Sequence, residues 1–295
     1  MKQKQLHDVY GIFGYPLAHS LSPAMQGQAF SRIESKAHYL VFELAPKDLE
    51  ATWKKLEQVQ LKGFNVTIPY KEKVISFLDR VSPEARRIGA VNTVYRQGTK
   101  WCGTNTDVYG FLTSLKTEAD FTPRNKKVLV LGAGGAARAA VYGLSAEGAK
   151  EIVIINRKKS RASAICGEYR CFFPKVFFQA CGSDEVSMKA LLGNADLIVN
   201  ATSIGLKKTD SPLIHSKDIP AAGKAGEKVF YDLIYSPRET AFLKNARRKG
   251  HFGLNGVGML VLQGAKAFEY WTKRKAPVEV MRKALLEALE QKEKR

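Results

Sequence analysis

The strongest constraint in this 295-residue chain is an apolar run that breaks on glycines and resumes as alanines. Val128-Leu-Val-Leu131 leads into Gly132-Ala-Gly-Gly135 and then into Ala136-Ala-Arg-Ala-Ala140. Such a stretch predicts a buried strand, a tight turn and the start of a helix, which is how a dinucleotide pyrophosphate site begins. Gly132 suits the turn, Gly134 lets backbone amides approach a phosphate, and Ala137 takes the third position, where helix and strand pack closely. The free amides and dipole of the helix start would hold the anion. Turns of this kind also serve packing alone, and the next strand separates the two readings.

That strand is Glu151-Ile-Val-Ile-Ile-Asn156. An NAD enzyme would place an acid at its end to accept from the ribose 2′-hydroxyl. Here Asn156 is followed by Arg157, Lys158, Lys159 and Arg161, cationic donors where NADP carries its extra phosphate. NADP is therefore expected over NAD. The alternative is a solvated basic helix start, and Lys158 stands where a small hydroxyl residue would be less ambiguous.

Composition leaves room for two ordinary soluble domains, with 45% hydrophobic and 25% charged residues. No segment reads as membrane-spanning, and the first apolar run, Val9 to Phe13, is too short for a signal sequence, so a cytoplasmic protein is expected. Cys102, Cys166, Cys171 and Cys181 form no CxxC pair, and the five histidines show no zinc spacing; neither disulfide nor metal is expected. A net charge of +19 raises the question of nucleic acid. The basic residues lie along stretches such as Arg238 to Lys249 and Ala276 to Arg295 without interleaved aromatics, so a solvated surface is expected, with no nucleic-acid or membrane partner. Its field would concentrate anionic ligands.

Periodicity predicts an α/β fold of two α/β domains. The first has strands at Tyr10 to Gly14, Ala37 to Leu44, Lys62 to Thr67 and Val91 to Tyr95 in a mostly parallel sheet, with helices at Pro23 to Ile33, Pro46 to Gln58 and Thr106 to Leu115. The second, Rossmann-like, has strands at Val128 to Leu131, Glu151 to Asn156, Lys175 to Phe178, Asp196 to Asn200 and Val229 to Leu233. Two C-terminal helices follow a bend at Gly253 to Gly258 and return to the first domain, and the tail after Glu287 is expected to fray. The boundaries are placed at 1–116 plus 258–295 for the substrate domain and 117–257 for the cofactor domain.

Polar clusters fall at strand ends and turns of the first half: His19-Ser-Leu-Ser22, Asn65-Val-Thr-Ile-Pro-Tyr-Lys71, Gly89-Ala-Val-Asn-Thr93 and Gly103-Thr-Asn-Thr-Asp107. Singly, each has a plain explanation. Ser22 before Pro23 suits a helix cap, Asn92 and Asn105 suit turns, and Lys71 and Asp107 suit a charged surface. Together they supply hydroxyls, amides, one ammonium and one carboxylate, which suits a small polyhydroxylated acid.

In order along the chain stand Gly14-Tyr-Pro-Leu-Ala-His-Ser-Leu-Ser-Pro23, Asn65 to Lys71, Gly89 to Thr93, Asn105-Thr-Asp107, Gly132 to Ala136, Asn200-Ala-Thr-Ser203, Asp232-Leu-Ile-Tyr-Ser-Pro237 and Asn255-Gly-Val-Gly-Met-Leu-Val-Leu-Gln263. With these motifs the chain resembles the shikimate dehydrogenase family from Tyr10 to the C-terminal helices. The resemblance implies reversible NADP-linked reduction of 3-dehydroshikimate to shikimate in aromatic amino-acid biosynthesis, by a monomer or homodimer. It implies Lys71 and Asp107 as the catalytic pair, Ser20, Ser22 and Tyr235 at the substrate carboxylate, and Thr67, Asn92 and Gln263 at the ring hydroxyls. For the cofactor it implies Gly132, Ala133, Gly134, Gly135 and Ala136 at the pyrophosphate, Asn156, Arg157, Lys158 and Arg161 at the adenosine phosphate, and Thr202, Leu233, Gly256 and Met259 beside the nicotinamide. Gly27 and Lys158 depart from the family pattern, where Asn and a hydroxyl residue are usual. Quinate/shikimate dehydrogenase accepting NAD or NADP is the nearest alternative; a non-catalytic relative and a nucleic-acid binder are the others.

Overall fold

A computed structural model of the chain describes residues 7–17, 20–45, 49–56, 61–184, 187–207 and 209–294, apart from the side chains of residues 54–56, 224 and 225. His19, the expected helix start at Pro46 and its end at Gln58 lie outside the described residues. The chain divides into two compact units, Met1–Thr106 with Val261–Arg295, and Asp107–Leu260.

The first unit runs β1 (Val9–Gly14), α1 (Ser22–Arg32), β2 (His38–Glu43), α2 (Leu49–Leu56), β3 (Leu61–Val66), β4 (Arg80–Val81), α3 (Pro83–Ile88), β5 (Thr93–Gln97) and β6 (Lys100–Thr104). Its sheet order is β2-β1-β3-β5-β6-β4. β1 pairs in parallel with β2 and β3, and β4 with β6, whereas β5 is antiparallel to both β3 and β6. The β5–β6 hairpin and β4 were not expected from the sequence. Gly98-Thr99 turns the chain between Gln97 and its partner Lys100, and a polar turn inside a short apolar run hides two strands as one. The core of this unit is aromatic, with Phe13, Trp53, Phe64, Tyr70 and Trp101 packed together under the sheet.

The second unit contains α4 (Asp107–Ala119), β7 (Lys127–Leu131), α5 (Gly135–Ala146), β8 (Glu151–Ile155), α6 (Lys159–Phe172), β9 (Phe177–Cys181), α7 (Met188–Asn194), β10 (Leu197–Asn200), α8 (Ala222–Ala225), β11 (Val229–Asp232), α9 (Ala241–Arg248) and β12 (Phe252–Leu254). All pairings are parallel, in the order β12-β11-β10-β7-β8-β9. This is the doubly wound order in which the chain reverses between β7 and β10 and ligands bind beyond the strand ends. Strands buried on both faces need continuous apolar runs, and Val128, Leu129, Val130, Leu131, Ile152, Ile154, Ile198 and Phe230 supply them.

The compact units divide at 106/107 and 260/261, with α4 packed on α5, its neighbour in the second unit. Two expectations are corrected. β9 begins at Phe177 and not Lys175, since the Val176 amide is taken by the Phe173 carbonyl in a turn at 3.0 Å. The chain closes with α10 (Val257–Thr272) and α11 (Val278–Glu293); α11 continues past Glu287 because Leu289 is fully buried, and it packs on α1.

Candidate active site

In the first unit the predicted substrate residues sit on a buried run of amides and hydroxyls. Ser22 opens α1 but does not cap it: the capping position is Leu21, and no side chain caps the helix. Behind it stands Tyr39, whose pKa burial pushes well above the usual phenol value against a smaller opposing pull from Ser22. Tyr39 is therefore a proton donor at neutral pH, and it donates to Asn65 Oδ1 at 2.8 Å. The Asn65 amide donates to the Asn92 carbonyl at 3.2 Å and to Thr93 Oγ1 at 3.3 Å.

Asn92 is the hub. Its Oδ1 accepts from the Thr106 amide at 2.7 Å and from Thr93 Oγ1 at 3.0 Å. Its Nδ2 donates to Thr106 Oγ1 at 3.0 Å and to Gln263 Oε1 at 3.1 Å. Asn105 pins the neighbouring backbone by donating to the Ala90 carbonyl at 2.9 Å. Asn65, Asn92, Thr93, Thr106 and Gln263 are all buried, as polar groups are when every partner is supplied.

Lys71 and Thr67 belong to the turn that follows β3. The Thr67 amide donates to the Phe13 carbonyl at 2.8 Å, Tyr70 N to the Thr67 carbonyl at 2.9 Å, and Val91 N to the Lys71 carbonyl at 2.8 Å. Tyr70 also anchors the turn through its hydroxyl, which donates to the Leu44 carbonyl. Ser20 accepts from the Ser22 amide at 3.4 Å. Asp107, buried, opens α4 and follows Thr106 by one peptide bond. Lys71 and Asp107 belong to different units.

The second unit carries the cofactor candidates at its strand ends. Gly132 follows β7 with φ of 110°, and a Cβ there would meet the Ala201 carbonyl oxygen at 2.9 Å. Glycine is needed at this position on both counts. At Gly134, where α5 is capped by no side chain, a Cβ would meet nothing within 4 Å. Open space over an uncapped helix start is what a pyrophosphate requires. Asn156 follows β8 and donates to the Lys158 carbonyl at 2.9 Å, while Arg157, Lys158 and Arg161 are exposed at the start of α6. No carboxylate occupies the end of β8, so the residues present fit a 2′-phosphorylated adenosine.

Thr202, Leu233 and Gly256 are drawn together by two residues to which the motifs gave no role, Asn200 and Asp232. Asn200 accepts from the Thr202 amide at 3.0 Å and hydroxyl at 2.8 Å, and its own amide donates to Asp232 Oδ1 at 2.9 Å. The Leu233 amide donates to the Asn200 carbonyl and the Gly256 amide to the Ile234 carbonyl, both at 3.0 Å. Gly256 cannot carry a side chain, because a Cβ would lie 2.2 Å from the Leu233 carbonyl oxygen. Met259 is buried on α10, and Tyr235 is half-buried after β11. Burial raises the Asp232 pKa to about 6, against the pull of its Thr240, Ile234 and Asn200 donors.

The remaining functional polar residues were less legible. Tyr39 is a single tyrosine in an apolar strand, and Thr240 a helix cap like many others; neither has a local signature. Among the described residues, no group of three or more His, Cys, Asp or Glu side chains could hold a metal ion, and no helix is long and apolar enough to cross a membrane.

Comparison with known proteins agrees with this layout. Residues 12–94 match the family model for the shikimate dehydrogenase substrate binding domain, 115–245 that for shikimate / quinate 5-dehydrogenase, and 256–286 that for the shikimate 5'-dehydrogenase C-terminal domain. The chain is similar to a protein of Geobacter metallireducens named shikimate dehydrogenase (NADP(+)), 42% identical over 281 residues, 95% of this chain and 96% of that one. It is similar in structure to shikimate dehydrogenase from Aquifex aeolicus, with a TM-score of 0.84 at 38% identity over 97% of this chain and 99% of that one. A Thermus thermophilus shikimate 5-dehydrogenase solved with NADP(H) and shikimate is also similar, with a TM-score of 0.81 at 35% identity over 96% of this chain and 100% of its own. By motif, fold and these relatives, the chain belongs to the shikimate dehydrogenase family.

Proposed function

We propose that this protein interconverts 3-dehydroshikimate and shikimate with NADP, in the cytoplasm, its first unit supplying most of the substrate contacts and its second the cofactor contacts. The observation that carries this reading is the buried run through Asn65, Asn92, Thr106 and Gln263, which presents fixed amides beside the backbone anchor of Lys71 and the chain neighbour of Asp107. NADP when bound supplies or accepts the hydride at the ring carbon. The chain's own residues do the rest. Ser20, Ser22 and Tyr235 bind the substrate carboxylate, and Thr67, Asn92 and Gln263 hold the ring hydroxyls. In reduction the Lys71 ammonium donates its proton to the carbonyl oxygen as negative charge develops there, with Asp107 as the second member of the proposed catalytic pair. In oxidation the proton is released, so raising the pH draws the equilibrium toward 3-dehydroshikimate.

Gly132 to Ala136 would hold the pyrophosphate, and Asn156, Arg157, Lys158 and Arg161 the adenosine phosphate. Steady-state kinetics with shikimate and quinate, each against NADP and NAD, tests the reading. The expected result is a kcat/KM highest for shikimate with NADP. A preference for quinate or for NAD would favour the quinate dehydrogenase alternative, and no turnover of either acid would overturn the assignment. For the compartment, the four free cysteines, with Cys171 exposed, fit a reducing environment. Thiol titration of freshly extracted protein should find all four reduced, and cross-linked Cys171 would count against it.

A further inference from the structure

Asp232 closes β11 with a side chain that is fully buried, and three donors converge on it. Oδ1 accepts from Asn200 Nδ2 at 2.9 Å and from the Ile234 amide at 3.1 Å. Oδ2 accepts from Thr240 Oγ1 at 2.6 Å, a length typical of a hydroxyl bonded to a carboxylate. Thr240 in turn accepts from the Leu243 amide at 3.4 Å as the cap of α9, so its own proton points to Asp232. Asn200 is the direct neighbour of Asp232 across the β10–β11 pair.

The backbone these bonds hold is that of the residues expected beside the nicotinamide. Thr202 hangs on Asn200 by two bonds, Leu233 on the Asn200 carbonyl, and Gly256 on the Ile234 carbonyl. The partners of the Asp232 side chain are therefore Asn200, Ile234 and Thr240, none of which is expected to touch substrate or cofactor. We propose that Asp232 is a positioning residue for hydride transfer, a buried carboxylate that sets the backbone of Thr202, Leu233 and Gly256; this rests on the NADP-linked reading above.

The chemistry requires a carboxylate. Three donors need an acceptor with two oxygens and no proton, and bonds to an ionised oxygen are roughly twice as strong as neutral ones. An asparagine would turn an NH₂ toward one of those donors. Facing Thr240, it would make that hydroxyl accept twice and leave its proton undirected; facing Asn200 and Ile234, it would oppose donor to donor. Either shifts a loop end by a fraction of an ångström, and a misplacement of 1 Å in a reacting geometry can cost about 10²-fold in rate.

The test compares Asp232→Asn, Thr240→Val and Thr240→Ser with the wild type in shikimate oxidation by NADP. Expected are a kcat lower by about tenfold or more in Asp232→Asn and Thr240→Val, KM for shikimate nearly unchanged, and recovery to within about threefold in Thr240→Ser. The primary deuterium isotope effect on kcat should rise in the slow variants as hydride transfer becomes limiting. Affinity for adenosine 2′,5′-bisphosphate, which lacks the nicotinamide, should stay within about twofold of wild type, since its contacts lie at β8. A kcat per folded molecule equal to wild type, or a parallel loss of adenosine bisphosphate affinity, overturns the positioning role. If Asp232→Asn does not fold, the Thr240 pair decides the question alone. An inactive wild type overturns the NADP-linked reading and this role with it, whereas an active wild type with unchanged variants overturns only the role.

Discussion

The two units prepare for a ligand in opposite ways. In the first, the expected substrate residues Asn92 and Gln263 are buried and already bonded to each other, with Asn92 also satisfying Thr93 and Thr106. In the second, the expected phosphate contacts are backbone and solvent-facing cations: glycines at 132 and 134, and exposed Arg157, Lys158 and Arg161. Asn92 and Gln263 in the first unit are thus part of the fold, while the phosphate contacts in the second are attached to it. A polar network in a low-dielectric interior is rigid when complete and costly when broken. An exposed guanidinium can be removed with little effect on the fold.

Lys71 tests the first half of that contrast from its edge. It is only partly buried, and its carbonyl fixes the Val91 amide whatever side chain it carries. Lys71→Ala is expected to lower kcat by about 10² to 10⁴, with a modest change in KM for shikimate and an unchanged melting temperature. The stopped assay and a thermal melt decide it. A wild-type kcat in folded Lys71→Ala would leave the proton donor elsewhere.

Arg157→Ala and Asn92→Ala set the two units side by side. Arg157→Ala is expected to weaken NADP by about 1.5 to 3 kcal/mol, the range for hydrogen bonds to charged groups, with much less effect on NAD and none on the unfolding midpoint. Equal losses for both cofactors would place Arg157 at the pyrophosphate or in stability. Asn92→Ala should do the reverse, lowering the unfolding free energy by about 1 to 3 kcal/mol because the buried Thr106 amide loses its acceptor, and lowering activity as well. Urea unfolding that left Asn92→Ala as stable as wild type would break the contrast between the units.

The same contrast governs what the sequence reveals. The glycine turn, the continuous apolar strands and the basic run after β8 are local patterns, and the all-parallel sheet follows from them. The first unit is harder, because β5 and β6 share one short stretch and β4 is two residues long, below the reach of any periodicity. Asn65, Asn92 and Asp107 were legible as polar residues placed where a core has no use for them. What joins them has no local pattern: Tyr39, 26 residues from Asn65, is named by no motif, and Gln263, 171 residues from Asn92, is grouped with it only through the family resemblance. Asp232 and Asn200 stood in recognisable motifs, yet their bond depends on the β10–β11 register, which no single-strand pattern encodes.

The smallest effect is expected at a solvent-facing side-chain pair of the second unit. Arg138, on α5 behind the glycine turn, makes two bonds to Glu168 on α6, at 2.6 and 3.1 Å, joining the helix of the pyrophosphate turn to the helix that begins at the basic run. The Arg138 guanidinium holds the Glu168 pKa below the usual carboxylate value, chiefly through that hydrogen bond. A folded-state pKa below the unfolded one means the pair stabilises the protein above the unfolded pKa of Glu and loses that contribution as pH falls through the lower, folded value. Glu168 is nearly half exposed, at 48%, so water and salt screen the attraction and the pair is worth less than about 1 kcal/mol. Glu168→Gln should therefore lower the unfolding free energy by no more than that at neutral pH and low salt. The difference from wild type should vanish at acid pH and shrink in strong salt. The NADP affinity should hardly move, because Tyr169 still donates its hydroxyl to the Arg138 carbonyl at 3.1 Å and keeps α6 on α5. A large loss of NADP affinity in Glu168→Gln would show that the exposed cations of this unit are held in place by side chains after all, as the substrate residues of the first unit are.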